Sequence, residues 1–441
     1  MKVVFLCGGI GKRMLPITED KFLLKFLGKT LLEHQIDLAR GAGLDKFVIV
    51  ANPGNVATIE ALATGIDGIA IDLAMQEEPT GIAGALQSAA GLLDSAVLVV
   101  SANDVFDGSA YAALLDAAKG GAVSYVIGQE VAEYFPGGYL EVDRAGNLKH
   151  IVEKPGAGNE PSNLVNVLLH FHKDPEKLLR YIGIARTDRD DVYERALDGM
   201  ARSGEKIGVV PYAGPWTPIK YPWHVLSVVR QLLHRSPAYV APTAQVSDRA
   251  VLDGHVVIDE NVKVFENAVI RGPVYIGRNS VIGNSCLVRE YSHVGADCVV
   301  GFSTEVKGSY IGDGCWLHMD YVGDAVIGER CSFGANTVFA NWRFDEKNVT
   351  VSVDGGMNTG RDKLGAIVGN DCRTGVNVSL MPGVRVGPNS IVGPQVCLTH
   401  DLEPDTMVFA TREYRKMKNR LQRGSSSSAA RMRALRGGGD T

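Results

Sequence analysis

The chain has 441 residues, too many for one ordinary domain, so two are expected. Hydrophobic residues make up 45%, enough for sizeable cores, and a net charge of −5 argues against a general affinity for nucleic acid. No apolar run approaches membrane-spanning length, and the N-terminus enters a strand without a signal-peptide pattern, so a cytoplasmic protein is expected.

The opening "MKVVF" reads as a buried strand. The chain leaves it through Gly8, Gly9 and Gly11, and then places Lys12, Arg13 and Lys21. Glycines allow a tight turn and close approach, and cations beside bare backbone N–H groups suit a phosphate. Further strands are expected at "KFVIVAN", "GIAIDL", "AVLVVSAND" and "AVSYVIGQ". Between them "TLLEHQIDLARGAG" and "YAALLDAAKGG" read as helices, the first burying Leu32, Ile36 and Ala39. Alternating βα units predict a largely parallel, helix-covered sheet with ligands at the carboxyl ends of its strands, where the glycine loop and Asp104 fall.

"YPWHVLSVVRQLLHR" reads as a helix and "SPAYVAPTAQV" as a linker. The period then changes. Val246, Leu252, Ile258, Val264, Ile270, Ile276, Ile282, Val288, Val294, Val300 and Val306 recur every six residues. The phase slips near Ile311 and resumes in "VRVGPNSIVGPQ". A hexapeptide period means a parallel β-helix with the aliphatic residue pointing inward. The irregular "NWRFDEKNVTVSVDGGMNTGRDK" interrupts it and is expected to serve a site, through a coenzyme or a neighbouring subunit. The seven cysteines show no metal or disulfide spacing, so packed thiols are expected. "EYRKMKNRLQR" is expected to be helical and the serine-rich tail disordered. The domains are therefore placed at 1–235 and 241–408, with a basic segment and tail at 409–441.

Residues 1–235 carry "GGIGKRM", "DKFLLKFLGKTLLEH", "EEPTGIAGAL", "VSAND", "GGYLEVD", "IVEKP" and "WTPIKYPW". In these motifs the chain resembles the sugar-1-phosphate nucleotidylyltransferases, which implies a Rossmann-like α/β domain that joins a nucleoside triphosphate, UTP being favoured, to a sugar 1-phosphate. The resemblance implies that Gly8, Gly9, Gly11, Gln76 and Gly81 bind nucleotide, and that Arg13 and Lys21 act on its phosphates. Lys154 would hold the sugar phosphate, with Gly138, Glu153 and Asn166 on the sugar. Asp104 would hold Mg2+, but the family's second metal ligand is replaced by Pro218. Ile82 and Asn103 also depart from the pattern. A second ligand from elsewhere, or the nucleotide's own phosphates, would have to complete the shell.

The stretch from "LHMDYVGD" through "NTGRDKLGAIVGNDCRTGVNVSLMPGV" resembles the acetyltransferase site of bifunctional enzymes making UDP-N-acetylglucosamine, especially archaeal-type relatives. It implies a left-handed β-helix, acetyl-CoA as co-substrate and a homotrimer. His318 would take a proton from the attacking amine, a task suited to imidazole. Arg289, Lys307, Tyr321, Asn341 and Lys347 would bind the acceptor. Leu317 replaces a polar residue, and Asp320 adds a carboxylate beside the site. Four readings stay open: a two-site enzyme, a nucleotidylyltransferase whose β-helix only oligomerises, an acetyltransferase with a degenerate nucleotidyl site, and a scaffold.

Overall fold

A computed structural model of the chain describes residues 1–9, 11–353, 355–411 and 416–418. The serine-rich tail and most of the basic segment expected to be helical lie outside the described residues.

The first half is an α/β unit. Strands β1 (Lys2–Leu6), β2 (Lys46–Ala51) and β4 (Val97–Ser101) are apolar and buried because helices cover both faces of the sheet, whereas the edge strand β3 (Ala70–Met75) is partly exposed. Helix α1 (Leu31–Gly41) starts at a capping box. Thr30 Oγ1 accepts from Glu33 N at 3.2 Å, and Glu33 Oε2 accepts from Thr30 N at 2.7 Å. It buries Leu31, Leu32, Gln35, Ile36 and Ala39, the face read from the sequence. There follow α2 (Val56–Thr64), α3 (Gly81–Ser88), β5 (Asp104–Val105), α4 (Gly108–Ala117), β6 (Ser124–Glu130), β7 (Gly138–Val142), β8 (Leu148–Glu153), β9 (Leu164–His172), α5 (Pro175–Ile184), α6 (Val192–Arg202), β10 (Ile207–Pro211), β11 (Thr217–Pro218) and α7 (His224–Arg235).

The sheet order is β8-β7-β9-β4-β1-β2-β3, with β6 joining β9 to β10. The sheet is mixed rather than largely parallel, because β9 runs antiparallel to β4, β6 and β7. This reversal matters to the site. Leu169 pairs with Val100, so the early part of β9 lies beside the carboxyl end of β4. Asn166 is thereby brought towards Asp104.

The second half is a solenoid of three parallel sheets, the architecture of a left-handed β-helix. From Ile258 to Val306 the six-spaced aliphatics are all buried, whereas Leu252, in the open first coil, is partly exposed. The coil begins inside the segment read as a linker, since Tyr239–Val240 already pairs with Val257–Ile258. Left-handed residues such as Asn261, Asn279 and Asp297 turn successive corners. Their side chains form a ladder, Asn261 Nδ2 to Asn279 Oδ1 at 3.2 Å and Asn279 Nδ2 to Asp297 Oδ1 at 3.0 Å. All seven cysteines are free and all but Cys397 are buried. Cys298, Cys315, Cys331 and Cys372 donate to the carbonyls of Gly312, Gly328, Gly369 and Gly387 on the next coil.

The slip in phase has a physical form. Inward residues Val306 and Ile311, Leu317 and Val322, and Val322 and Ile327 stand five apart, so three corners are one residue short. Those corners carry Lys307, His318 and Asp324.

The halves share a core. Met14, Leu24, Phe26 and Leu31 pack with Leu226 and Val229 of α7 and with Tyr275, Tyr310, Val326 and Ile367 of the solenoid. Lys25 Nζ meets Asp313 Oδ2 at 2.7 Å across the boundary. The insertion forms a hairpin, Thr350–Val351 against Met357–Asn358. Val349, Val351 and Val353 bury it in the shared core, so it packs against its own first domain.

Candidate functional sites

The first site lies where β1, β4 and β5 end. Cys7 N donates to Val50 O at 2.9 Å, and the chain then turns away from the sheet. A Cβ on Gly8 would press on the end of the Gln76 side chain, whereas Gly9 faces open space. Gln76 Nε2 donates to Gly81 O at 3.1 Å, and Gly81 has φ +73°. Gly8 and Gln76 line a cavity of about 450 Å³ together with Asp20, Asn52, Asn55 and Pro79. Asn52 and Asn55 escaped the sequence reading. Asn55 Nδ2 bridges Cys7 O at 2.9 Å and Asp20 Oδ2 at 2.7 Å, pinning the loop.

Cations converge at the same edge. Burial and the Arg13 guanidinium bring Lys21 down to about 8, while Asp104 and Asp20 oppose the shift. Arg13 lies 5.7 Å from the centroid of the Tyr221 ring. Burial raises Asp104 to about 6 against the pull of Lys220, of the Trp216 indole and of Lys21. Lys220, which the sequence reading passed over, is lowered to about 8 by burial. Asp104 and Glu153 attract it, and Arg13 and Lys154 repel it, so it stands between the two halves of the cleft.

The β7–β8 ladder sets Gly138 opposite Glu153. A Cβ on Gly138 would stand 3.2 Å from Glu153 Oε2 and 3.5 Å from Asn166 Cβ, so these three residues adjoin. Lys154 has φ +46° and places Nζ 3.0 Å from Glu153 Oε1. Behind Asn166 runs a buried chain. Ser124 Oγ is 2.8 Å from His172 Nδ1, and His172 Nε2 is 2.8 Å from Tyr193 OH. Tyr193 OH is 2.7 Å from His170 Nδ1, and His170 Nε2 is 2.7 Å from Asn166 Oδ1. Burial holds His170 far below its ordinary value and His172 at about 3, so both rings are neutral. Asn166 Oδ1 can only accept, which fixes the direction of every bond back to Ser124. The Asn166 amide is thus locked with its N–H groups left for the cleft.

Asp104 was expected to hold Mg2+. In the β5–β11 pair its direct partner is Pro218, which offers no side-chain oxygen. No group of three His, Cys, Asp or Glu suited to a metal occurs among the described residues. The residues present therefore do not fit a protein-held divalent ion.

The second site lies on the solenoid. Lys307 Nζ meets Asp324 Oδ2 at 3.0 Å, and Asn341 Nδ2 donates to the same oxygen at 2.6 Å. Asn341 Nδ2 is 3.4 Å from Tyr321 OH. A Cβ on Gly323 would stand 2.6 Å from Asn341 Nδ2, so only glycine leaves room for the cluster. Arg289 lies one coil away, since Val288 pairs with Val306, and its Nη1 meets Glu305 Oε1 at 3.1 Å. His318, Arg289 and Lys347 are not tied to the Lys307 cluster by a hydrogen bond or ion pair among the described residues. Lys347 is exposed on the insertion.

His318 is exposed at its corner, stacked on Trp316 at 5.8 Å. Its neighbours differ from expectation. Leu317 is fully buried as a core residue of the coil. Asp320 points inward, accepting from His318 N at 2.6 Å and Thr337 N at 2.8 Å, so it braces the shortened corner instead of standing beside the site. Burial raises it to about 7.

Comparison with known proteins agrees with both halves. The nucleotidyl transferase family model matches residues 2–182, and the bacterial transferase hexapeptide (six repeats) model matches 255–290 and 365–400. The chain is 36% identical to the bifunctional protein GlmU of Methanococcus maripaludis, over 93% of this chain and 97% of that protein. It is 32% identical to a bifunctional sugar-1-phosphate nucleotidylyltransferase/acetyltransferase of Sulfurisphaera tokodaii, over 91% and 98%. Against the GlmU of Methanocaldococcus jannaschii the identity is 31%, over 95% and 100%. Alignment at this identity along nearly the whole of both chains means that this protein belongs to the family of bifunctional sugar-1-phosphate nucleotidylyltransferase/acetyltransferases.

Proposed function

We propose that the first site transfers a nucleotidyl group from a nucleoside triphosphate, with UTP favoured, to a sugar 1-phosphate. The observation carrying this reading is that Lys220 feels the charges of Arg13 and Asp104 and those of Glu153 and Lys154, while Gly138 and Asn166 adjoin Glu153. The sugar phosphate oxygen attacks the α-phosphorus, the bond to the β-phosphate breaks, and pyrophosphate leaves. A phosphate nucleophile carries no proton to remove, so positioning and charge neutralisation by Lys21, Arg13 and Lys154 suffice. Mg2+ would enter with the triphosphate.

The second site would pass an acetyl group from acetyl-CoA to the amine of an amino-sugar 1-phosphate. The amine attacks the thioester carbonyl, the C–S bond breaks, and His318 takes the amine proton. Lys307, Arg289, Tyr321 and Asn341 would hold the acceptor, with Lys347 supplied from the insertion. His318 shares its corner with exposed Trp316, Met319 and Phe302. That apolar edge suits a homotrimer in which a neighbouring copy completes the site. The combined product would be a UDP-N-acetylamino sugar made in the cytoplasm.

A panel of sugar 1-phosphates and nucleotides, assayed separately for pyrophosphate release and CoA release, tests both halves. Pro218 opposite Asp104 favours one second reading, an acetyltransferase with a degenerate nucleotidyl site. Absence of pyrophosphate release with every pair would establish it.

A further inference from the structure

The replacement of the second metal ligand by Pro218 leaves Asp104 without a carboxylate partner across the β5–β11 ladder. Proline is fixed in its ring and cannot swing another donor into place. Two residues further along the same strand end, Lys220 enters the cleft. Its Nζ donates to Pro136 O and lies 3.7 Å from the centroid of the Phe135 ring. These contacts anchor the ammonium and leave N–H donors unspent. The nearby Trp216 indole also acts on Asp104. Lys220, Trp216 and Pro218 line one open cavity of about 660 Å³, whose far wall is Met357, Asn358 and Thr359 of the solenoid hairpin.

Resting on the nucleotidyl-transfer reading, we propose that the Lys220 ammonium is the resident cation of this cleft. It takes the place of a protein-held divalent ion, neutralises Asp104 and binds an oxygen of the phosphates that meet between Lys21 and Lys154. The charges acting on Lys220 agree with this position, since Asp104 and Glu153 attract it while Arg13 and Lys154 repel it. A fixed ammonium and a bound divalent ion would repel each other at one carboxylate. The chain therefore carries one arrangement in place of the other.

The test uses full-length protein and two probes, Mn2+ followed by its electron paramagnetic resonance and UTP followed by calorimetry in excess EDTA. Wild type is expected to hold no stoichiometric Mn2+ in the absence of nucleotide, and to bind UTP in EDTA. Lys220→Ala should weaken that binding about tenfold or more. Lys220→Arg should retain most of it, and Lys220→Gln guards against a folding artefact of the alanine. The double variant Pro218→Asp with Lys220→Gly should gain a Mn2+ site that Asp104→Asn abolishes. A stoichiometric Mn2+ site in wild type, UTP binding that requires a divalent ion, or UTP binding indifferent to Lys220→Ala would each overturn the proposal. Failure of the underlying reading shows separately, as UTP binding without pyrophosphate release from any sugar 1-phosphate.

Discussion

The hydrogen-bond chain behind Asn166 turns on one hydroxyl. Tyr193→Phe removes the oxygen that donates to His170 Nδ1 and accepts from His172 Nε2, both within 2.8 Å. Tyr193, His170 and His172 are fully buried, so neither ring can turn to water. Each polar group left unpaired in such surroundings costs about 1–3 kcal/mol, less what the lost hydroxyl had itself surrendered on burial. The net loss should be roughly 2–3 kcal/mol, which for a domain of this size lowers the melting temperature by about 5–10 °C. The functional effect follows from the far end. With His170 no longer held at Nδ1, its bond to Asn166 Oδ1 loses direction and the amide is free to rotate. The KM for sugar 1-phosphate should rise about tenfold, equivalent to about 1.4 kcal/mol, while kcat changes little. Thermal unfolding by circular dichroism and initial rates of pyrophosphate release measure the two effects. An unchanged melting temperature would show that the chain is not a structural link. A lower melting temperature with unchanged KM would show that Asn166 is positioned without it.

The same histidines predict acid sensitivity. His172 titrates at about 3 when folded against an ordinary value near 6.5, so its contribution is fully present above about pH 6.5 and declines as pH falls towards 3. At pH 5 it alone should cost about 2 kcal/mol, read as a lower denaturation midpoint than at pH 7.5. Arg13→Ala and Lys21→Ala should each slow pyrophosphate release at least tenfold, about 1.4 kcal/mol of barrier, with CoA release untouched. His318→Ala should slow CoA release by roughly two to four powers of ten, because the amine loses its positioned base, and should leave pyrophosphate release intact. Equal CoA release in mutant and wild type would remove His318 from the chemistry.

The solenoid was legible because its signal is local and repeated. An inward residue every six positions needs no knowledge of distant contacts. Even the phase slip was visible, but its meaning was not. Only the coil geometry shows that a five-residue corner turns Asp320 inward to cap two backbone N–H groups, or that Leu317 belongs to the core. In the first half the glycine loop and the motif residues were readable, and they do meet. Lys220 was not, although "WTPIKYPW" shows a lysine two residues beyond the proline that stands in place of the family's second metal ligand. The chain Ser124–His172–Tyr193–His170–Asn166 joins residues from two strands and a helix, which no local pattern connects. Its one sequence trace is the pair His170 and His172, alternate residues whose side chains share a face of β9.

The insertion shows why a two-domain reading of the sequence was incomplete. A long break in a solenoid suggests a site on that solenoid, and its base does carry Asn341 into the Lys307–Asp324 cluster. Its hairpin goes the other way. Val349, Val351 and Val353 are buried with Val225, Leu226 and Val229 of α7, while Met357, Asn358 and Thr359 wall the cavity that holds Lys220. Arg361, at the return of the hairpin, reaches Ser227 on α7 at 3.4 Å. One segment of about two dozen residues thus touches the Lys307–Asp324 cluster at one end and the cavity that holds Lys220 at the other, a connection that spans a shared apolar core instead of a flexible linker.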